Sequence, residues 1–222
     1  MDKVMEYAEI DNSDTVVVTG YSAGGFGASL LADDVFSNYF PTAKSKTVLV
    51  DASLLLFEQW NNVAKNVWQA PEHIASRLTS ENITLDNLTA LHNKWGNDVT
   101  ILFDSSTRDG DLAKVQRYLK DGVMNEDTGE MPLEEKDADE YFRILTETVP
   151  KFKEQAGAYL FIWDGLPWYD DPRDFTMHTI IAVPYSFAEL SGTGSSVSEW
   201  LMDAVNGNPK DYGLELVNSK TE

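Results

Sequence analysis

The feature that most constrains the fold is a short apolar run that leads straight into a glycine-rich turn and then into a helical pattern. Residues 15–20, TVVVTG, are mostly β-branched and apolar, which predicts a strand buried on both faces of a sheet. After the turn, apolar residues line one side of a predicted helix at Phe26, Leu30, Leu31 and Val35. A strand that turns sharply into a helix favours folds in which parallel strands alternate with helices.

Three more apolar runs repeat this pattern and predict further strands. They are KTVLVDAS at 46–53, DVTILFDSS at 98–106 and AYLFIWDG at 158–165. Helical spacing is predicted for 1–10, for much of 54–97, and from near Ser196 to Gly207. The alternation predicts a single α/β domain over 1–222, with a mostly parallel sheet and helices on both faces, as in α/β-hydrolase-like folds.

An acidic stretch, DGVMNEDTGEMPLEEKDADEYF at 121–142, interrupts this pattern. Its first half is predicted to be a loop and its second half the start of a helix, so the stretch is expected to be an acidic insertion or lid. Weak binding of a hard cation by 121–140 is an alternative, but the spacing is not that of an EF-hand loop.

Composition excludes several classes of function. The formal charge of −20 disfavours nucleic acid and anionic membrane surfaces as partners. The chain has no cysteine, so thiolate catalysis and cysteine-bound zinc are excluded, and neither a metal nor a cofactor is predicted. No apolar run reaches the ~20 residues of a membrane span. The first residues, MDKVMEYAEIDNSD, show no signal-peptide pattern.

The turn itself, Gly20-Tyr21-Ser22-Ala23-Gly24, fits the G-x-S-x-G pattern of a nucleophile elbow. Side chains two residues before and after the serine would collide, and Gly25 and Gly27 would let the helix pack closely. The helix N-terminus favours negative charge, and the N–H of Ala23 is the predicted oxyanion donor. The alternative is a glycine-rich turn that binds phosphate or has no ligand.

A nucleophilic serine needs a base, and the chain has three histidines. His178 follows the fourth strand and precedes the last helix, where the histidine of a hydrolase of this fold belongs. His73 and His92 lie in the helical middle region and are predicted to be surface or partly buried helix residues.

The predicted acid lies in the loop after the third strand, FDSSTRDGDL. Asp109 is favoured because it stands where the loop should turn back over the sheet. Asp111 and then Asp104 remain alternatives, although Asp104 could still belong to the strand. Each of them could also be just one more carboxylate of an acidic loop.

Aromatic residues precede His178 in GLPWYDDPRDF at 165–175. Trp168, Tyr169 and Phe175 are candidates for an acyl or sugar platform, and packing against the sheet is the alternative.

These segments together resemble the pectin acetylesterase family, which includes the Notum-type carboxylesterases. The resemblance lies in TVVVTGYSAGGFGA, VLVDAS, ILFDSSTRDGDLAKVQ, FTMHTII and SSVSEWLMDAVNG, which occur in the family's order. It implies an extracytoplasmic serine esterase that removes short acyl groups, often acetyl, with a triad of Ser22, Asp109 and His178. The expected partner is a small-molecule or carbohydrate ester.

The chain departs from the family at two places. Tyr21 and Thr179 stand where eukaryotic members often have cysteine, which fits a bacterial-type branch. About 14 residues precede the first strand, and they contain no glycine-rich loop that could supply a second oxyanion donor. The strands that should flank the nucleophile strand are also missing, so the chain is expected to correspond to the C-terminal two-thirds of a family member, without its N-terminal strands. A non-catalytic binding domain or inactive fragment, and a peptidase on the same fold, are the competing hypotheses.

Overall fold

A four-stranded, all-parallel sheet forms the centre of the molecule. The computed structural model describes residues 1, 5–6, 13–122, 133–166, 168–182 and 184–218. The strands are β1 (Thr15–Tyr21), β2 (Ser45–Asp51), β3 (Thr100–Ser106) and β4 (Tyr159–Trp163). They lie side by side in chain order, with Tyr21 beside Asp51 and Asp51 beside Asp104.

Within the described residues, five longer helices connect and cover these strands. They are α1 (Ala23–Asn38), α2 (Ile83–Trp95), α3 (Gly110–Asp121), α4 (Glu135–Ala156) and α5 (Val197–Val205). Shorter helical turns occur at Trp60–Asn62, Val63–Val67, Glu72–Ala75, Gly96–Asp98, Pro184–Phe187 and Glu215–Asn218.

The two faces of the sheet bury separate apolar clusters. Because right-handed crossovers between strands in sequential order return on one face, α1, α2 and α4 pack together there, around Phe36, Leu88 and Phe152. The chain after β4 covers the opposite face with α5, whose Trp200 packs on Phe161. Neighbouring strand residues therefore serve different faces, as Val48 and Leu49 do.

The predicted fold class is confirmed: the fold is mixed α/β, with a parallel sheet covered on both faces, and is consistent with an α/β-hydrolase-like arrangement. All four predicted strands form, and the predicted last helix begins after Ser196, which caps it. Helix α3 was not predicted, although Leu112, Ala113 and Gln116 on its buried side have helical spacing. The helix predicted over 1–10 lies mostly outside the described residues.

The acidic stretch divides into two parts. Residues 123–132 lie outside the described residues. The second half does begin a helix, α4, as predicted. Its residues Ala138 and Tyr141 are buried in the core, so this half is part of the domain. The expectation of a lid stays a prediction. Its acidic side chains pair with basic neighbours, as Asp137 does with Arg117 at 2.9 Å.

Strand β1 forms one edge of the described sheet. On this edge Val17 and Tyr21 are partly exposed, at 37% and 49%. In the part of the chain that the structure describes, β1 has β2 as its only strand neighbour. None of the helices in that part is long and apolar enough to cross a membrane.

Candidate active site

Ser22 occupies a strained turn between β1 and α1. Its backbone angles are φ 52° and ψ −125°, a region that costs a non-glycine residue about 1–3 kcal/mol. Gly25 N–H and Phe26 N–H both donate to Ser22 O, so the helix begins immediately after the serine. Strain of this kind, held at a strand-to-helix turn, is what a nucleophile elbow requires.

The glycines around Ser22 differ in what they make possible. A Cβ on Gly20 would lie 2.1 Å from Gly24 O, so the backbone two residues before the serine touches the backbone two residues after it. A Cβ on Gly25 would lie 2.0 Å from Ser53 Oγ. A Cβ on Gly24 or Gly27 would meet nothing within 4 Å, so the predicted need for glycine at these two positions is wrong.

Asp109 and His178 form a hydrogen-bonded pair at the same edge of the sheet. His178 Nδ1 lies 2.7 Å from Asp109 Oδ2, and the carboxylate of Asp109 is fully buried. Asp109 is also the N-cap of α3, since its Oδ1 accepts a hydrogen bond from Leu112 N–H at 2.8 Å. Both oxygens are thus engaged, which fixes the carboxylate in one orientation.

A short parallel pairing brings the histidine loop onto this aspartate. Thr176 pairs with Asp109, and its backbone N–H donates to Arg108 O at 3.0 Å. The nearly buried Arg108 then donates from Nε to Asp174 O at 2.7 Å and pairs with Asp139 of α4. Arg108 therefore ties the histidine loop to both β3 and α4.

The two alternative acids lie elsewhere. Asp111 is exposed in the first turn of α3. Asp104 is fully buried inside β3, and its side-chain oxygens have no hydrogen-bond partner among the described residues. Of the three candidates, the structure brings Asp109 to the histidine. Its catalytic role stays a prediction.

The other histidines are helix residues, as the sequence predicts. His73 is exposed and lies 3.3 Å from Asp34 Oδ2. His92 lies in α2 with its ring against Gly157.

Burial and neighbouring charge act on this pair in opposite directions. Burial lowers the pKa of His178, but the hydrogen bond and charge of Asp109, with the charges of Asp111 and Asp51, outweigh it and raise the pKa above its ordinary value. Burial raises the pKa of Asp109, and the hydrogen bond from His178 opposes that rise. The arrangement favours an imidazolium with Asp109 ionised, which is the state a general base reaches after taking a proton.

We therefore expect His178 to titrate above about pH 6.5, its ordinary value, and Asp109→Asn to lower that pKa. Because the folded pKa is raised, the stability that the pair contributes is fully present below about pH 6.5 and is lost as the pH rises through the folded pKa. Imidazole NMR titration of both proteins, with circular dichroism as the folding control, measures this. Equal pKa values in the two folded proteins would contradict it.

A cavity of about 130 Å³ lies beside His178. Its lining is mixed and includes Asp111, Tyr169, Asp171, Arg173 and Phe175. Larger hollows of about 520 and 630 Å³ occur elsewhere on the surface, and His178 lines neither of them. Ser22 and Asp109 line none of these three cavities. The cavity at His178 is smaller than these hollows, but it is the one of the three that has the candidate base in its lining.

The aromatic residues predicted as a platform do not act alike. Phe175 is mostly buried and packs in the core, and it also lines the cavity beside His178, so its contact with a substrate stays a prediction. Trp168 and Tyr169 are exposed at 60% and 42%, and Trp168 lies against Tyr185 with ring centroids 5.6 Å apart. These two remain available to a substrate.

The predicted oxyanion donor, the N–H of Ala23, lies at the start of α1. Ala23 and Gly24 open α1, and N–H groups in the first turn of a helix have no partner within the helix. The N–H of Ala23 is therefore placed to receive negative charge beside Ser22. In the described ranges, no three histidine, aspartate or glutamate side chains converge as a metal site.

Sequence reasoning missed residues that hydrogen-bond to the backbone of the serine turn and of the histidine loop. Asp51 ends β2 and Ser53 follows it, and both bond to the backbone at Ser22. Arg108 holds the histidine loop. The available signal was their position, because polar residues directly after buried parallel strands gather at one edge of the sheet.

Comparisons with known proteins add no identification. No protein-family model matches the chain, and a search of the curated proteins finds no match. The fold is that of a mixed α/β protein with a parallel sheet, and the resemblance to pectin acetylesterases rests on the sequence segments alone.

Proposed function

We propose that this protein is a serine esterase with a Ser22–His178–Asp109 triad. The observation that carries the proposal is the strained Ser22 at the β1–α1 turn, on the sheet edge where Asp109 and His178 bond at 2.7 Å. The order of these residues along the chain, serine, acid and histidine, is that of α/β-hydrolases.

In the proposed reaction, Ser22 Oγ attacks the acyl carbon while His178 Nε2 takes its proton. Asp109 accepts the Nδ1–H hydrogen bond and stabilises the imidazolium. The N–H of Ala23 binds the oxygen that becomes negative. When the tetrahedral intermediate collapses, the alcohol leaves with the proton from His178. A water activated by the same histidine then hydrolyses the acyl-serine.

The proposed substrates are esters of short acyl groups, acetyl in type, on a carbohydrate or a similar alcohol. The small cavity beside His178 supports this, because its carboxylate, phenol and guanidinium groups suit a hydroxyl-rich leaving alcohol better than a long acyl chain. The exposed Trp168 and Tyr169 offer ring faces on which a sugar could stack.

A fluorophosphonate probe tests the proposal directly, because it phosphonylates only an activated serine. We expect labelling of the wild-type protein and hydrolysis of p-nitrophenyl acetate, with both lost on His178→Ala and retained in the control His73→Ala. A folded wild-type protein that neither labels nor turns over the ester would contradict the proposal.

The second candidate is a non-catalytic binding domain of the same fold. One observation favours it: within the described residues, the Ser22 hydroxyl makes no hydrogen bond to His178. Catalytic hydrogen bonds are often long in ligand-free enzymes and tighten only with substrate, so the esterase remains the better proposal. Binding of an acetylated oligosaccharide with no probe labelling would instead support the binding domain.

A further inference from the structure

One residue bonds to both halves of the candidate site. Asp51, the last residue of β2, accepts a hydrogen bond from Ser22 N–H on its backbone oxygen at 2.9 Å. Its carboxylate oxygen Oδ2 accepts two more, from the backbone N–H groups of Ile180 and Ile181, each at 2.9 Å. These two residues follow His178 almost directly. Asp51 therefore spans the gap between the serine turn and the histidine loop.

The histidine loop needs such an anchor because its backbone is strained. Thr179 has φ 60°, a left-handed conformation that is unfavourable for a β-branched residue. On the upstream side, Thr176 and Arg108 hold the loop, as described above. On the downstream side, the two N–H groups that follow Thr179 both point at one oxygen of Asp51. The strained residue is thus fixed from both sides, and the direction of His178 is fixed with it.

Burial makes this anchor strong. Asp51 is fully buried, so bulk solvent does not compete for its carboxylate. When this carboxylate is ionised, its hydrogen bonds are about twice as strong as those between neutral groups. Asp104 lies beside it on β3, in register and equally buried. Burial and the charge of Asp51 raise the pKa of Asp104 well above its ordinary value. Burial also raises the pKa of Asp51, but less far, because the hydrogen bonds from Ile181 and Ile180 oppose the rise. Asp104 therefore keeps its proton to higher pH than Asp51 does.

Ser53 completes the connection on the serine side. Its hydroxyl lies 2.7 Å from Ser22 O and 2.8 Å from Asp51 O. Any displacement of the end of β2 would therefore move the serine turn and the histidine loop together.

We propose that Asp51 is a positioning residue that holds the His178 loop in register with Ser22. It touches no reacting atom. Its carboxylate sets the loop backbone, and the loop sets the direction of the imidazole. This assignment rests on the proposed esterase function for its catalytic consequence, but its structural part stands on the two hydrogen bonds alone.

The experiment compares Asp51→Asn with wild type by amide hydrogen exchange and by ester turnover. Asparagine keeps the shape but accepts more weakly, so we expect the Ile180 and Ile181 amides to exchange roughly 10- to 100-fold faster. If the protein is an esterase, kcat should fall by a similar factor with KM nearly unchanged, because the loss lies in orientation and not in substrate binding. Unchanged exchange in the folded variant would overturn the proposal.

Asp111→Asn is the matched control. It also removes a carboxylate near His178, but this carboxylate makes no hydrogen bond to Ile180 or Ile181, so their exchange should stay within about 2-fold of wild type. Equal acceleration in both variants would overturn the proposal, since it would trace the effect to charge and not to the anchor. A wild type without turnover would refute the esterase but leave the exchange result decisive.

A measurement on the unaltered protein covers the case in which Asp51→Asn does not fold. The amide protons of Ile180 and Ile181 should shift with pH in parallel with the Asp51 side-chain carboxyl carbon in an NMR titration. Amide shifts that stay constant while this carbon titrates would overturn the proposal.

Discussion

Ser22→Ala is expected to reduce turnover of p-nitrophenyl acetate by at least ~10⁴-fold, because a triad acts as a unit and little remains without its nucleophile. Alanine removes only the hydroxyl, which caps no helix N–H in the structure. The variant should therefore keep its fold, and near- and far-ultraviolet circular dichroism should match the wild type. Steady-state kinetics with active-site titration by the fluorophosphonate probe measures the loss.

The matched control is Ser76→Ala, an exposed serine that follows the short Glu72–Ala75 helix. It should leave turnover and labelling at wild-type level. A Ser22→Ala protein that retains turnover within ~10-fold of wild type would show that the strained serine is not the nucleophile, whatever its conformation.

Gly20→Ala should destabilise the folded protein by about 3 kcal/mol or more. The added methyl carbon would lie 2.1 Å from Gly24 O and 2.4 Å from Gly24 C. Both atoms are backbone and belong to the start of α1, so no side-chain rotation relieves the clash. Either the turn opens or the helix shifts, and both displace Ser22. Urea unfolding followed by circular dichroism measures the change in the free energy of unfolding.

Gly24→Ala supplies the matched control, two residues after the serine instead of two before it. A Cβ at Gly24 meets nothing within 4 Å, and the residue lies in the first turn of α1. We expect a change between zero and about 1 kcal/mol in favour of the folded state, since alanine is the better helix former. Equal destabilisation by both substitutions would contradict the steric account.

At Gly20 and Gly24 the sequence predicts the turn, but only the packing shows which glycine is required. The G-x-S-x-G pattern and its strand-to-helix context predicted the turn, and the structure has it. The motif places one glycine two residues before Ser22 and one two residues after it, but their surroundings differ. A Cβ on Gly20 would collide with the carbonyl of Gly24, whereas a Cβ on Gly24 would meet nothing within 4 Å. Only the packing angle between β1 and α1 distinguishes the two.

The candidate triad illustrates a similar division. Ser22 was predicted from the G-x-S-x-G motif, and His178 from its position between the fourth predicted strand and the last helix. The choice among Asp104, Asp109 and Asp111 did not, since all three follow β3 within a few residues. Asp104 is buried within β3, and Asp111 is exposed to solvent. Asp109 caps α3, and it is this cap that turns its other oxygen toward His178.

The sequence by itself determined the local features: apolar runs long enough to be buried strands, glycines that permit a sharp turn, and helices with one apolar side. These depend on neighbouring residues, so a local pattern suffices to predict them. Only the tertiary structure decided which distant residues meet. Asp51 and Ile180 are 129 positions apart, and no periodicity links them. They meet because parallel strands end at one edge, where a buried carboxylate needs donors and a strained loop can offer two.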